Sequence, residues 1–215
     1  RDCELLLPGH CLSDIANYYL NTSGFSEAEA IYQRQLASTE SRQFHHRAWL
    51  NLQLAIVMMK RGQYELAMGY LLQADQELPG WWLVKEHIAE VSALLGRPEK
   101  AIEIYQQVIA DTNLPQFMDA LAGVYSAAGR EKEARALTLQ ARNLWLEKLN
   151  QYPEALSGHA LEHFLSSESD KELALDLAEK NHKNRPWGES KLMLAEAYLA
   201  TNNPAKAAAL VEQII

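Results

Sequence analysis

At 215 residues, 48% hydrophobic and 22% charged, the chain carries too much apolar surface to stay disordered. Its 20 Lys+Arg against 28 Asp+Glu give a formal net charge of −8. That balance lacks the cationic face with which a nucleic-acid binder displaces counterions from phosphates, and it disfavours an anionic membrane surface. With 10 glycines and 7 prolines there are too few turn residues for an all-β chain of many hairpins, and no apolar run reaches the ~18–20 residues of a membrane helix.

In chain order, residues 1–8, "RDCELLLP", read as the tail of a preceding second helix that ends at a proline. Cys3 and Cys11 flank Pro8-Gly9. Two readings stay open for them: reduced thiols, or a disulfide that would place the chain in an oxidising compartment, periplasmic or secreted rather than cytoplasmic. From residue 9 onward the sequence repeats. The segments "RGQYELAMGYLLQA" (61–74), "LGRPEKAIEIYQQV" (95–108), "AGREKEARALTLQA" (128–141) and "TNNPAKAAALVEQI" (201–214) share one plan. Each has a turn, a few polar residues, an alanine and then an amphipathic helix. The alanines Ala28, Ala67, Ala101, Ala134, Ala174 and Ala207 stand 39, 34, 33, 40 and 33 residues apart. Twelve positions upstream lies a second small residue: Ala16, Ala55, Ala89, Ala122 and Ala195.

Two helices of ~12–14 residues with short connections fill about 34 residues. Small residues on the facing sides let the two helices pack closely, and apolar residues at helical intervals, such as Ile102, Tyr105, Val108 and Ile109, provide the buried stripe. One hairpin cannot bury its apolar face alone, so neighbours stack. The predicted repeats cover 9–42, 48–81, 82–114, 115–148, 155–187 and 188–215, and Pro79, Pro115 and Pro186 stand at the junctions of successive repeats, where a helix must end. The 40-residue interval is explained if the second helix of the fourth repeat runs on to about Asn150, since "RALTLQARNLWLEKLN" holds no breaker before Tyr152-Pro153. The fifth repeat fits two registers. In the first, Glu162 takes the small, helix-facing position and Leu161, Phe164 and Leu165 form the inward stripe. In the second, Ala160 is the packing residue and the turn after it is two residues longer. We adopt the first.

The segments "LAGVYSAAGREKEA" (121–134) and "LAEAYLATNNPAKA" (194–207) resemble the tetratricopeptide-repeat (TPR) family in their order of Leu, small residue, aromatic, turn and Ala. The resemblance covers roughly residues 9 to 215 as six hairpins. It implies an all-α fold, a right-handed α–α superhelix built as one solenoid over residues 1–215. The last repeat stops at Ile214-Ile215 without the polar capping helix of such arrays, so the sequence is expected to be a fragment of a longer chain.

The resemblance also implies that the first helices line a concave groove where ligands dock. Matching positions across repeats form two rows: Ser13, Leu52, Glu86, Asp119, His159 and Leu192, then Asn17, Ile56, Glu90, Gly123, His163 and Glu196. The predicted groove is apolar early, at Trp49, Leu52, Ile56 and Met59. It is acidic in the middle, at Glu86, Glu90 and Asp119, and carries His159, His163 and Glu196 later. Acids steer a basic or mixed basic-apolar peptide, and desolvated apolar anchors supply the affinity. The family's chaperone-tail clamps use basic grooves, so that role is not carried over. The expected function is a protein-interaction scaffold with no cofactor and no nucleic-acid partner, with self-association through exposed solenoid ends as a further possibility.

Two competing readings come from other features. His159-Ala-Leu-Glu162-His163 satisfies H-x-x-E-H, the inverted zinc-protease signature, and two histidines at i and i+4 share a helix face that can hold zinc, so one reading is a metal-binding or hydrolytic protein built on His159 and His163. Asp119 and Glu196 are candidate third ligands. The bland alternative is two histidines that bind peptide groups or water. A purely structural array within a larger regulatory or envelope assembly is the other. His45-His46 reads as an exposed helix start; Trp81-Trp82 and Trp187 sit at repeat junctions, either as packing or as a partner-facing surface. No phosphate-binding glycine loop, nucleophile motif or CxxC pair is present, so the sequence makes no positive case for an enzyme.

Overall fold

The computed structural model describes residues 10–166 and 170–212. Arg1 to Pro8, Cys3 and the terminal Ile214-Ile215 lie outside the described residues. Cys11 is buried and is half of a disulfide.

Among the described residues there are twelve helices and no strand. They are α1 (His10–Asn21), α2 (Phe25–Ser38), α3 (Phe44–Lys60), α4 (Tyr64–Glu77), α5 (Trp82–Leu94) and α6 (Pro98–Thr112). The remaining six are α7 (Pro115–Ala127), α8 (Glu131–Gln151), α9 (Pro153–Leu165), α10 (Lys171–Asn184), α11 (Gly188–Ala200) and α12 (Pro204–Val211). Each odd-numbered helix packs on the next as a hairpin. The chain divides into two compact units, Arg1–Asn113 and Leu114–Ile215.

Five hairpin turns have one geometry. Residues 22–24, 61–63, 95–97, 128–130 and 201–203 each join two helices with three residues. The middle residue is left-handed every time: Ser23, Gly62, Gly96, Gly129 and Asn202, with φ between 60° and 75°. The following N–H then donates to a carbonyl five residues back, as in Gln63 to Met58, Arg97 to Ser92, Arg130 to Tyr125 and Asn203 to Tyr198. This is the Schellman closure, which satisfies carbonyls that the ending helix leaves orphaned.

In the first unit the helices pack in sequence, α1 on α2 through to α5 on α6. Ala28, Ala67 and Ala101 on the second helices and Ala16, Ala55 and Ala89 on the first are fully buried. Their small side chains let the facing helices approach closely. Leu50, Leu54, Val57, Leu71, Val84 and Val91 fill the remaining core. Ion pairs link successive hairpins, Arg61 to Glu29 and Arg97 to Glu65.

In the second unit α9 also touches α7 and α11, so the first helices of consecutive hairpins are neighbours. Helix α8 runs to Gln151, as its unbroken pattern predicts, and buries Ala141, Trp145 and Leu149 on its extension. The fifth hairpin takes the register with Ala160 as its packing residue. Ala160 is fully buried and Glu162 is exposed, so the register adopted from sequence is corrected. A carboxylate at the helix–helix contact would lose its hydration without a partner, while Leu161 and Phe164 are buried all the same.

Candidate functional site

The predicted groove residues fall into two groups, one in each unit. In the first unit, helix α3 carries the apolar set. Leu52 is only 1% exposed and belongs to the core, whereas Trp49, Ile56 and Met59 are half-buried. The Trp49 ring stacks on His46, with centroids 6.0 Å apart, and meets Tyr32 edge-on at 5.9 Å. Tyr32 is itself buried. Its hydroxyl donates to Asn17 at 2.6 Å, and burial pushes its pKa up to about 12. Ser13 likewise accepts from Gln35 at 3.2 Å. The early positions of both rows are therefore spent on holding α1 to α2.

Helix α5 carries Glu86 and Glu90 one turn apart, with His87 between them. His87 Nδ1 lies 3.1 Å from Glu90 Oε2 and 3.4 Å from Glu86 Oε2. Among the described residues neither carboxylate pairs with a lysine or arginine. The Glu86 side chain is 16% exposed and that of Glu90 42%. Burial, reinforced by the charge of Glu90 and opposed by His87, raises Glu86 to about 7. Burial works against a charged His87, yet the hydrogen bond to Glu90 and the two carboxylate charges leave its pKa above the ordinary value. Tyr105, on α6, is buried, and its pKa is raised first by that burial and then by Glu86 and Glu90. The sequence reading missed His87 because it falls in neither aligned row. Its separation of three residues from Glu90 was the available signal.

In the second unit Asp119 is engaged on both oxygens. Trp145 Nε1 donates to Oδ2 at 2.8 Å, and His163 Nδ1 is 2.7 Å from Oδ1. Trp145 is 1% exposed and His163 6%. The three side chains bind α7, α8 and α9 together. Arg142, one turn before Trp145, makes a two-pronged pair with the buried Asp170 at the start of α10, at 2.9 and 2.7 Å. A cavity of about 860 Å³ opens between α7, α8 and α9, with Asp119, Arg135, Leu139, Trp145, His159 and His163 among its lining. A smaller one, about 390 Å³, lies between α9, α10 and α11 and is lined by His159, Glu162, Arg185, Trp187, Glu189 and Met193. His159 is exposed and lines both. Glu196 is exposed on α11 and lines neither. The structure thus brings Asp119 and His163 together but not Glu196. Trp82 is 39% exposed and Trp187 56%, so these junction residues present surface as well as packing.

Residues 188–213 match the family model described as tetratricopeptide repeat. The TPR-like repeats of a Podosopora anserina protein, described as a putative kinesin light chain, superpose with a TM-score of 0.56 at 21% identity, over 95% of this chain and 92% of that one. A thermophilic TPR protein of Thermus thermophilus gives 0.59 at 18% identity, over 78% and 89%. A TPR protein from Parabacteroides merdae gives 0.52 at 13%, over 94% and 77%. No curated protein matches the chain significantly in sequence. The class that these likenesses define is one of fold: the chain is all-α, with the TPR-like α–α superhelix fold, and its last hairpin matches the tetratricopeptide repeat in sequence. That fold is commonly a protein-interaction scaffold. Among the described residues no helix is long and apolar enough to cross a membrane.

Proposed function

We propose that the first unit binds a basic, partly apolar peptide segment of a protein partner, with Glu86 and Glu90 selecting its charge and Trp49, Ile56 and Met59 supplying apolar contact. The observation that supports this is the pair of carboxylates on a first helix, partly buried and, among the described residues, answered only by His87. A lysine or arginine arriving there gains a charge-assisted hydrogen bond in a partly desolvated place, where it is stronger than at an open surface. The rigid hairpin stack holds the acids in position beforehand, so little ordering entropy is lost on binding. In the second unit the carboxylate of Asp119 is already committed to Trp145 and His163, so the reading rests on the first unit.

The test is a labelled peptide panel, measured by anisotropy in the presence of a chelator. Basic-apolar peptides should bind and acidic ones should not. Glu90→Lys should weaken the preferred peptide by about tenfold or more, the range of a close charge pair, while helicity and melting stay unchanged. Equal binding of basic and acidic peptides would sink the reading.

A further inference from the structure

Helix α10 carries a polar side chain where three other second helices are apolar. Seven residues after the packing alanine, α4, α6 and α8 have Ala74, Val108 and Ala141, all fully buried. At that place α2 has Gln35, whose Nε2 donates to Ser13. In α10 the place is held by Asn181, which is 5% exposed. Its Oδ1 receives no hydrogen bond from any described residue. Its Nδ2 has only the Met193 sulfur, 3.9 Å away. A buried carboxamide so poorly satisfied carries a cost that the apolar residues of α4, α6 and α8 do not.

Asn181 lines the cavity of about 390 Å³ between α9, α10 and α11. Gly158 of α9 lies against the carboxamide, and a Cβ there would stand 3.2 Å from Oδ1. The rest of the wall is charged and aromatic. Glu162 and Glu189 line it, and among the described residues neither pairs with a lysine or arginine. Arg185 lines it too, so with His159 neutral the two carboxylates leave the wall negative on balance. Met193 and the Trp187 ring, 56% exposed, give it apolar surface.

We infer that this cavity binds a primary ammonium group on an alkyl stem, carried by a lysine side chain or by a small free amine. The Asn181 oxygen only accepts, so its ligand must bring an N–H or O–H. An anion is repelled by Glu162 and Glu189, and a neutral donor leaves both unanswered. An ammonium has three donors and a positive charge, which serve the amide oxygen and the carboxylates together. The indole face attracts the cation, and the ring and Met193 cover its stem. The carboxamide turns about a soft torsion to meet it, since only the long sulfur contact holds Nδ2. The site belongs to the second unit and does not rest on the peptide reading of the first.

The experiment is an NMR titration of the isotope-labelled full chain, read at the indole N–H of Trp187 and the carboxamide N–H signals of Asn181. The probes are n-butylammonium chloride and a short alanine peptide with one central lysine, with the same peptide acetylated on that lysine as control. Both cations should shift the signals saturably, and the acetylated peptide should not. Tighter binding of the peptide assigns the cavity to a protein-borne lysine; equal or tighter binding of butylammonium assigns it to a free amine. Asn181→Ala, which gives α10 the residue that α4 and α8 carry, should weaken binding by about tenfold or more. Gly158→Ala favours the helix but crowds the carboxamide, and should weaken it severalfold. Glu90→Lys should leave this titration unchanged, which separates the site from the peptide site of the first unit. No saturable shift with either cation, equal shifts from the acetylated peptide, or an unchanged affinity in Asn181→Ala overturns the proposal. If Asn181→Ala fails to fold, the exposed Glu189→Gln variant decides in its place, with a weakening of about threefold expected and an unchanged affinity counting against the site.

Discussion

Asp119 shows how a residue chosen for its place in a row can serve another purpose. Its row position was readable, but its partners were not: Trp145 lies 26 positions away on the extension of α8, and His163 lies 44 positions away. No periodicity connects them. Asp119→Ala should therefore lower stability by about 2–4 kcal/mol in denaturant melts, because it strands two donors in a largely dry place. A stability unchanged within error would show that the cluster is idle. Glu86 makes a prediction in pH. Its folded pKa stands near 7 against an ordinary 4.5, so the folded state holds this proton more tightly than the unfolded one. Stability is then highest when Glu86 is protonated and falls as pH rises from about 4.5 to 7. The raised His87 acts in the same direction, since its contribution is complete below 6.5 and is lost above its folded pKa. In metal-free buffer Glu86→Gln should be stabilising by up to about 3 kcal/mol at pH 8 and neutral at about pH 4. An equal effect at both pH values would sink this.

At the scale of the element, the alanine spacing made the hairpins legible. Ala28, Ala67, Ala101, Ala174 and Ala207 are all buried where the second helices meet the first. The long α8 was legible for the opposite reason, an absence of breakers. The fifth hairpin was not, because Ala160 and Glu162 both stand near the expected place, and only the length of the turn that follows decides between them. Turn residues give a sharper test. Ser23 and Asn202 hold the left-handed position that glycine holds in three other turns. Ser23→Gly removes a Cβ penalty and should gain about 0.5–1 kcal/mol, with Gly96→Ala losing about 1 kcal/mol. Thermal melts of the two variants moving in the same direction would contradict the common geometry.

For the molecule as a whole, contacts run mostly between adjacent helices, so disturbance should spread locally. Leu54→Ala, at a fully buried position of α3, removes about 2–5 kcal/mol. Hydrogen exchange should rise in residues 25–38, 44–77 and 82–112 and stay unchanged in 188–211; a uniform rise across both units would refute nearest-neighbour behaviour. The five matching turns also bear on how the chain tolerates changes of length. In those five hairpins the joint is three residues long, because the left-handed residue and the carbonyl it helps satisfy leave no slack. Between hairpins the joints vary, from Tyr152 alone to the five residues 39–43. Room for insertion and deletion is therefore unevenly distributed along this chain. A residue added inside one of those turns breaks a closed hydrogen-bonded ring, while one added between hairpins only lengthens a strap, so the lineage can lengthen or trim the array at its straps while the hairpins themselves pass unchanged.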